Sequence, residues 1–488
     1  MKTRTVIFLA ALALAGCSGP SRDTAAMVEG APIPIDRAWN TDGKSTNRLA
    51  VAEGPAVYST AIELLQPSEA DDWVLDLGSF EGSAKVCING EEAGTASGKP
   101  ARISLGRLLK PGINLLDVSG SIGSEVNLIP MYKPLPSPEE VIAQARLVND
   151  YFMRKFPDPS KPVPFPSRQR SYEGNIWTRG VYYEGLLALN EVDPRQSYLD
   201  YTMRWGDLYG WNMRNGQPLT RNADNYCCAQ SYIDMYRMYG EEKMMANVHL
   251  CMENILATPE AEADWTWIDA IQMGMPALVK YGVTASRPEF FEKAWTMYNW
   301  SRERFLNKEE GLWWRDAAFC PPYTTPGGQD CYWSRGNGWV MAAFVRVLEE
   351  LPADDPHRAV YEADYRDMCK ALLERQRSDG TWNCSLDDPA DFGGPEATGT
   401  SLFTYGLAWG LRTGRLQGEE YLTAVTRAWN GLNRICIHPD GFIGFSQGSG
   451  KEPAEAQPVT YDRIPDFEDF GTGCFLLAAS EVARLAQK

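Results

Sequence analysis

Short loops, most of them rich in aromatic residues, recur six times between helical segments in the larger, C-terminal part of this sequence. They lie at positions 172–177, 216–224, 264–269, 311–316, 380–382 and 441–445, so their first residues are 44, 48, 47, 69 and 61 positions apart. Repetition on this scale is typical of stacked helical hairpins. Six hairpins predict an (α/α)6 barrel with the loops at one mouth, and an open solenoid is the alternative. The aromatic loops favour the closed barrel, because an aromatic-lined cleft suits the recognition of sugar rings.

The part of the sequence before this repeat predicts a different architecture. Residues 32–133 contain short β-branched runs separated by turn pairs such as Asn89-Gly90 and Pro111-Gly112, which predicts a small β-sandwich of the jelly-roll kind. Prolines at 134, 136 and 138 mark the boundary, and Ser137 is the predicted N-cap of the first helix, with Glu140 three residues later. The predicted fold class is therefore mainly α, with a barrel domain over 134–488 preceded by the β-sandwich domain.

The first seventeen residues have the pattern of an export signal. Lys2 and Arg4 precede an apolar stretch at 6–15 that is too short to span a bilayer, and Leu14-Ala15-Gly16-Cys17 is similar to a bacterial lipobox. The pattern predicts a lipoprotein signal peptide at 1–16, lipidation of Cys17 and a flexible tether at 17–31. We therefore expect a lipid-anchored protein of the bacterial cell envelope, facing the periplasm or the cell surface.

The other ten cysteines do not form a disulfide scaffold in a chain of 488 residues, because such scaffolds belong to much shorter chains. Cys320 and Cys331 flank a loop rich in Pro and Gly. The sequence leaves open whether these two residues pair.

Composition excludes several kinds of site. A net charge of −17 argues against a nucleic-acid partner, because phosphate binding requires a basic face. The three histidines, at 249, 357 and 438, lie far apart and no metal-binding spacing is present, so neither a metal nor another cofactor is expected. Acid–base chemistry then depends on carboxylates, while 16 Trp and 22 Tyr suit stacking against sugar rings.

Two aspartates stand out among apolar neighbours. Asp269 lies among aromatic and aliphatic residues where a helix begins, and Asp224 opens another apolar helix. Desolvation predicts a raised pKa for Asp269 and a role as proton donor near neutral pH. The alternative for either residue is a structural N-cap.

Four segments of the C-terminal part together resemble glycoside hydrolase family 105, the unsaturated rhamnogalacturonyl and glucuronyl hydrolases, which are relatives of family 88. The match follows the order of the family motifs over roughly residues 138–488, and its segments are 267–276, 333–339, 396–401 and 471–478. The resemblance implies the same (α/α)6 barrel. The β-sandwich region resembles the galactose-binding-like jelly rolls appended to many glycosidases, as either a structural or a sugar-binding accessory domain.

The resemblance to family 105 implies an exo-acting enzyme that hydrates the C4=C5 double bond left by polysaccharide lyases on a terminal uronic acid. It places the catalytic aspartate on Asp269 and the assisting aspartate on Asp224. On this reading Asp269 protonates C4 and then, as a base, helps water to add at C5, after which the hemiketal opens and releases the aglycone. Such use of one aspartate as acid and base in turn differs from the paired carboxylates of ordinary glycosidases.

A substrate with a carboxylate requires a local positive charge. Arg335 is the predicted carboxylate-binding residue, since a guanidinium binds a carboxylate through two hydrogen bonds. Arg315 is a further candidate for substrate binding, because it stands where family members commonly carry His. Asp469 is a second departure, near a position where some members also carry His. The tryptophans predicted to stack on the sugar are Trp177, Trp314, Trp333 and Trp339.

Two other functions remain open from the sequence. An ordinary exo-glycosidase such as a β-glucuronidase, on the same barrel, would use Asp269 and Asp224 as its carboxylate pair. A glycan-capturing lipoprotein without catalysis would bind its ligand even without both aspartates. The expected partner is an oligosaccharide, with a terminal uronic acid in the leading interpretation.

Overall fold

A computed structural model of the chain describes residues 27–30, 32–35, 39–41, 44–46, 56–64, 70–106, 108–161, 163–165 and 170–488. The predicted signal peptide and Cys17 lie outside the described residues, as does most of the predicted tether. Within the described ranges, no helix is long and apolar enough to cross a membrane.

The N-terminal region consists of two antiparallel sheets. Its strands are β1 Val28–Glu29, β2 Ile33–Pro34, β3 Trp39–Thr41, β4 Lys44–Thr46, β5 Ala56–Leu64, β6 Asp72–Asp76, β7 Ser83–Ile88, β8 Glu91–Ser97, β9 Arg102–Ser104, β10 Gly112–Gly120 and β11 Asn127–Tyr132. One sheet has the order β1-β11-β6-β9, with β2 also paired to β11, and the other has the order β4-β3-β5-β10-β7-β8.

The two sheets form a sandwich around one core. Alternate side chains of β5 are buried, and Tyr58 of β5, Leu116 of β10 and Leu75 of β6 meet in a core shared by both sheets. The turn Asn89-Gly90 joins β7 to β8 with φ angles of 54° and 82°, which a two-residue type I′ hairpin requires. The predicted β-sandwich is present.

Helices fill the rest of the chain. They are α1 Pro138–Lys155, α2 Trp177–Val192, α3 Gln196–Leu208, α4 Ala223–Tyr226, α5 Ala229–Tyr239, α6 Ala246–Ala257, α7 Asp269–Thr284, α8 Glu289–Phe305, α9 Ser334–Glu350, α10 Arg358–Arg375, α11 Pro389–Phe392, α12 Ala397–Thr413, α13 Glu419–Gly431 and α14 Asp469–Ala486. Two short hairpins lie in the loops, formed by β12 Val163–Phe165 with β13 Arg170–Tyr172 and by β14 Leu306–Asn307 with β15 Leu312–Trp313.

Six of the long helices form an inner ring. Around the axis they follow the order α2, α5, α7, α9, α12 and α14, and α14 packs against α2, so the ring is closed. The inner helix α9 is buried on almost every side, since all its residues from Ser334 to Leu348 are buried. The predicted (α/α)6 barrel is confirmed, and the open solenoid is excluded because the first and last inner helices touch.

Backbone contact closes the ring between α2 and α14. A Cβ atom at Gly185 would lie 2.4 Å from the Gly473 carbonyl oxygen, and one at Gly473 would lie 2.3 Å from the Val181 carbonyl oxygen. Both neighbours are backbone atoms and cannot move aside cheaply. Glycine is therefore required where the two helices meet.

The loops at the two ends of the barrel differ in length. Connections from an inner helix to the next outer helix are short, such as 193–195 and 285–288, whereas connections from an outer to an inner helix are long, such as 306–333 and 432–468. All long loops therefore gather at the end where the inner helices begin. This end is the mouth of the barrel.

The β-sandwich contacts the outside of the barrel at the end of α13. The Asn430 side chain donates a hydrogen bond to the Lys133 carbonyl at 2.8 Å, and Arg434 lies 3.5 Å from the Asp71 carboxylate. The Arg427 guanidinium lies over the Tyr132 ring, 5.1 Å from its centroid. These contacts join two neighbouring strands of the sandwich, β6 and β11, to the helical domain.

The cysteines at 320 and 331, whose pairing the sequence left open, are both free thiols. Burial raises the pKa of Cys331 to about 12, so this thiol stays protonated. Cys320 donates weak hydrogen bonds to the carbonyls of Arg304 and Asp316, each at 3.6 Å.

Candidate active site

The mouth of the barrel collects the N-termini of parallel inner helices. Asp269 is the first residue of α7, Trp177 of α2 and Asp469 of α14, while Asp224 lies in α4 just before α5. The N-terminus of a helix carries a partial positive charge and unpaired N–H groups, which favour anions. A protein of net charge −17 thus has one end that can accept an anionic group.

Asp269 is paired with Arg315. Its side chain is 13% exposed, and its Oδ2 atom accepts a hydrogen bond from Arg315 Nε at 3.2 Å. Arg315 comes shortly after β15, and its carbonyl oxygen accepts a hydrogen bond from the Ile268 N–H at 2.9 Å. The loop that carries the guanidinium is therefore fixed to the residue that precedes the aspartate.

The second aspartate, Asp224, has a strongly shifted proton affinity. Burial of its carboxyl group raises the pKa to about 7, and the negative charge of Asp269 adds to this, while Arg315 and Arg214 act in the opposite direction. Among the described residues, no hydrogen bond to this carboxyl is found. Asp224, to which the family resemblance gives the assisting role, therefore stays protonated up to near neutral pH.

The two aspartates are thus brought together as predicted, with different surroundings. The Asp224 carboxyl group holds a proton up to about pH 7, and the Asp269 side chain accepts a hydrogen bond from the Arg315 guanidinium. This arrangement supplies a proton donor and a base within one cleft. Within the described residues, no group of three or more His, Cys, Asp or Glu side chains is placed to hold a metal ion.

Arg335 does not have the predicted position. Its side chain is 1% exposed, and its Nη1 and Nη2 atoms donate to the carbonyl oxygens of Gln447 at 2.5 Å and Gly448 at 2.8 Å. The guanidinium is also sandwiched between the rings of Trp333 and Phe470, whose centroids lie 4.6 and 5.0 Å away. The prediction that Arg335 binds the substrate carboxylate is corrected here, because the group is occupied in holding a loop. Arg315 is the guanidinium that reaches the aspartates.

The four predicted tryptophans separate into two pairs. Trp333 is 1% exposed and donates from its indole N–H to the Gln447 side chain at 2.8 Å. Trp339 is fully buried. Both belong to the core, so the prediction that they stack on the sugar is corrected. Trp177 and Trp314 are only half-buried. Trp177 packs edge-on against Trp339, while the Trp314 indole N–H donates to Asp330 at 3.2 Å. Trp177 and Trp314 stay candidates for contact with a sugar.

Several structural anchors of the mouth were missed from the sequence. The Asn337 side chain exchanges hydrogen bonds with the backbone of Trp313, at 2.9 and 3.0 Å, and so fixes the strand that leads to Arg315. Glu396 caps α12 and accepts a hydrogen bond from the Gln447 N–H at 3.2 Å. Both residues lie in the matching motifs, but nothing in those motifs shows which loops they hold. Arg214 near Asp224 gave no signal in the sequence.

Asp469, the other departure from the family pattern, is also structural. It is 2% exposed and accepts hydrogen bonds from Thr178 Oγ1 at 3.1 Å and Arg179 Nε at 3.3 Å. Burial raises its pKa, and the charge of Arg179 opposes this rise. The pair joins the starts of α2 and α14 beneath the mouth.

This closed helical ring with an acidic pair at its mouth defines a glycoside hydrolase of the (α/α)6 class, and comparison with known proteins gives the family. Residues 144–486 match Glycosyl Hydrolase Family 88, and the chain belongs to that family. It is 31% identical over 330 residues to the Unsaturated 3S-rhamnoglycuronyl hydrolase of Formosa agariphila, a match that covers 64% of this chain and 85% of that protein.

Solved structures agree with this assignment. A glycosyl hydrolase family 88 protein from Bacteroides vulgatus is 30% identical, with a TM-score of 0.65 over 72% of this chain and 100% of that one. A family 105 glycoside hydrolase from C. acetobutylicum shares the fold at 22% identity, with a TM-score of 0.55 over 69% of this chain and 98% of that one. The resemblance seen in the sequence motifs is confirmed.

Proposed function

We propose that this chain is an exo-acting unsaturated uronyl hydrolase, which hydrates the C4=C5 double bond of a terminal unsaturated uronic acid on oligosaccharides made by polysaccharide lyases. The observation that carries the proposal is the pair at the mouth, with Asp224 protonated up to about pH 7 and Asp269 held as a partner of Arg315. The name of the relative from Formosa agariphila, an unsaturated rhamnoglycuronyl hydrolase, supports the same chemistry.

The substrate double bond is a vinyl ether, because the ring oxygen is attached to C5. A proton given to C4 leaves a cation at C5 that the ring oxygen stabilises, and water then adds at C5. The hemiketal so formed opens and expels the aglycone. The protein must therefore supply one proton at C4 and remove one proton from the attacking water.

The structure favours a division of this work between the two aspartates. On this proposal Asp224 gives the proton to C4, because its carboxyl group is the one that stays protonated near neutral pH. Asp269 accepts the proton of the attacking water. After product release this proton passes to Asp224, directly or through solvent, so that Asp224 is again protonated and Asp269 is again the carboxylate partner of Arg315. The family resemblance instead assigns proton donation to Asp269, and the pH profiles of variants at the two aspartates distinguish these assignments.

Substrate binding on this proposal uses the positive end of the barrel. The inner helix N-termini attract the substrate carboxylate. Arg315 has one terminal nitrogen, Nη2, for which no partner is found among the described residues, so it remains available to an oxygen of the substrate. Trp177 and Trp314 offer partly exposed rings for stacking.

The function is tested by comparing unsaturated and saturated glucuronides, with loss of the ultraviolet absorbance of the double bond as the signal. Turnover in D₂O should place one deuteron at C4 of the released keto sugar, on a single face. Equal turnover of the saturated glucuronide, with no deuteron at C4, would instead establish the ordinary exo-glycosidase. Fragments from lyase-treated pectin, arabinogalactan, ulvan and glycosaminoglycans then identify the aglycone, and rhamnose-linked fragments come first because of the relative's name.

The roles of the aspartates are tested with Asp224→Asn and Asp269→Asn. Each change should keep the fold and lower kcat by about 10²–10⁴-fold, the usual effect of losing a positioned acid or base. Wild-type kcat/KM should fall above about pH 7 as Asp224 ionises. In Asp269→Asn that fall should move to lower pH, because the charge that raises the Asp224 pKa is gone, and in Asp224→Asn it should be absent. A fall that persists unchanged in Asp224→Asn would return the donor role to Asp269. Binding of the oligosaccharide that survives both changes, with no turnover by the wild type or by either variant, would instead support ligand capture without catalysis.

We also propose that the protein is exported and lipid-anchored at the cell envelope through Cys17. The support is the lipobox-like segment Leu14-Ala15-Gly16-Cys17 after a short apolar stretch. Cys17→Ala should move the protein from the detergent phase to the aqueous phase on phase partitioning. Partitioning of the wild-type protein into the aqueous phase would contradict the anchor.

A further inference from the structure

Asp316 holds the other side of the Arg315 guanidinium. Arg315 Nε donates to Asp269 at 3.2 Å, and Arg315 Nη1 donates to Asp316 Oδ2 at 2.6 Å, so one guanidinium bridges two carboxylates. All three side chains are largely buried, with exposed fractions of 13% for Asp269, 19% for Arg315 and 18% for Asp316. Hydrogen bonds between charged groups in such a setting are strong and directional.

The Asp316 carboxylate is itself fixed. Its Oδ1 atom accepts a hydrogen bond from the Ala318 N–H at 2.8 Å, and its carbonyl oxygen accepts one from the Phe319 N–H at 3.0 Å. The backbone at Asp316 also forms an antiparallel bridge with Trp267, two residues before Asp269. Asp316 therefore has one oxygen for its own turn and one for Arg315, and its distance from the catalytic helix is set by the backbone.

We propose that Asp316 is a positioning residue for the reaction proposed above, because it holds Arg315 in contact with Asp269 through only one nitrogen and keeps Nη2 free for the substrate. Without the Asp316 carboxylate, the guanidinium has a single acidic partner left in contact. It then turns to bind Asp269 through two parallel hydrogen bonds, the preferred geometry of an arginine–carboxylate pair. That arrangement makes Asp269 a weaker base and uses the nitrogen that would meet the substrate.

The charges around Asp224 and Asp269 determine the direction in which loss of the Asp316 carboxylate shifts the pKa of Asp224. The groups that act on Asp224 are Asp269, Arg315 and Arg214, and Arg335 also senses the charge of Asp269. On the outer side, the charge of Asp316 acts on Cys320 and Glu452. Turning Arg315 fully onto Asp269 offsets more of the negative charge that acts on Asp224. The change therefore lowers the pKa of Asp224.

The experiment compares the full chain with Asp316→Asn and Asp316→Glu. In Asp316→Asn the titration of the Asp224 carboxyl, followed by NMR of ¹³C-labelled aspartate and assigned with Asp224→Asn, should move down by about 1 pH unit. The fall of kcat/KM above neutral pH should move with it, and kcat/KM should drop about 10- to 100-fold. Asp316→Glu, which keeps a carboxylate, should restore part of both.

Asp391→Asn is the matched control. Asp391 is a carboxylate of the same rim whose charge, like that of Asp316, acts on Glu452, but it has no contact with Arg315. This control should leave the titration of Asp224 and the activity unchanged. An equal shift of the Asp224 titration in Asp391→Asn would show that the shift comes from any loss of negative charge at the rim, and this would overturn the proposal.

One further variant and the choice of readout keep the test decisive. Asp316→Ser removes the charge but retains an acceptor for the Ala318 N–H, so it replaces Asp316→Asn if that variant does not fold. An Asp224 titration identical to the wild type in Asp316→Ser would overturn the proposal. The NMR titration needs no turnover, so it tests the positioning role of Asp316 independently of activity. Inactivity of the wild-type protein on every unsaturated uronide would refute the proposed function alone.

Discussion

Ionised Asp224 should destabilise the folded protein, since its carboxyl group has a pKa of about 7 in the fold against 3.8 as a free side chain. A carboxyl whose pKa is raised by folding contributes most to stability at low pH, and the contribution is lost as the pH rises from about 4 to about 7. We therefore expect Asp224→Asn to raise the Tm at pH 8 and to change it little at pH 4.5. Thermal unfolding at the two pH values measures this, and an equal change at both would contradict it.

Single residues show where inference from the sequence ends. Both aspartates were found because each is a charged residue in an apolar segment at the start of a helix. The wrong choice was Arg335, a residue that the sequence places in the right motif. Its partners, the carbonyls of Gln447 and Gly448, lie 112 and 113 positions away, and no local pattern reveals which backbone a side chain will meet. Arg315 has the same charge, and in the fold its Nε atom contacts the Asp269 carboxylate.

The loop 446–457 behaves as one element, and Gln447 is its centre. The Gln447 side chain donates to the carbonyls of Glu452 and Glu455 at 2.9 and 2.7 Å. On the barrel side, Arg335 donates a hydrogen bond to the Gln447 carbonyl. Many hydrogen bonds thus fix a segment without helix or strand. Such a loop is ordered by contacts distant in sequence, so its course could not be predicted from its own residues.

Arg335→Ala should release this loop from α9. Two buried carbonyl oxygens would lose their donors, which we expect to cost about 2–4 kcal/mol of the free energy of unfolding. Urea unfolding measures the loss, and limited trypsin digestion should cut faster at Lys451. The control is Arg463→Ala in the same connection, where an exposed side chain donates to Pro458 and little change is expected. Unchanged stability with a large rise in KM would instead return Arg335 to ligand binding.

Local features of helices and strands were predictable from the sequence. The capping box at Ser137 and Glu140 is present as the sequence indicated, because its donors and acceptors lie within one turn. The hairpin at Asn89-Gly90 is likewise a local property. The repeat alone left open the closure of the ring, since helical hairpins at this spacing form either a closed barrel or an open solenoid. The aromatic loops and the family resemblance favoured the closed barrel.

At the scale of the whole molecule, the β-sandwich and the barrel are joined by few contacts. The side chains named in the site lie between Trp177 and Asp469, all in the helical domain. We therefore expect residues 134–488 alone to keep most of kcat on a small substrate but to unfold at a lower temperature, because Arg427 loses Tyr132 and Arg434 loses Asp71. Differential scanning calorimetry and kinetics on the shortened chain measure both. Loss of kcat with an intact barrel would show that the sandwich takes part in catalysis.

Arg434→Ala in the full chain separates these effects. It breaks a partly exposed ion pair of 3.5 Å, and such a pair contributes less than about 1 kcal/mol, so the drop in melting temperature should be smaller than that of the shortened chain. An equally large drop would show that Arg434 accounts for the stabilisation at the junction.

The contact between α2 and α14 also determines how late in synthesis the ring can close. Thr178 and Asp469, which meet at that junction, are 291 positions apart. At a translation rate of about 5–20 residues per second, the ribosome needs roughly 15 to 60 s to make the second partner after the first. During that interval α2 presents its glycine-bearing side to solvent or to a chaperone, and the half-built ring has two open edges. Pulse-labelled nascent chains should therefore stay sensitive to protease until α14 has emerged, however early the other hairpins form.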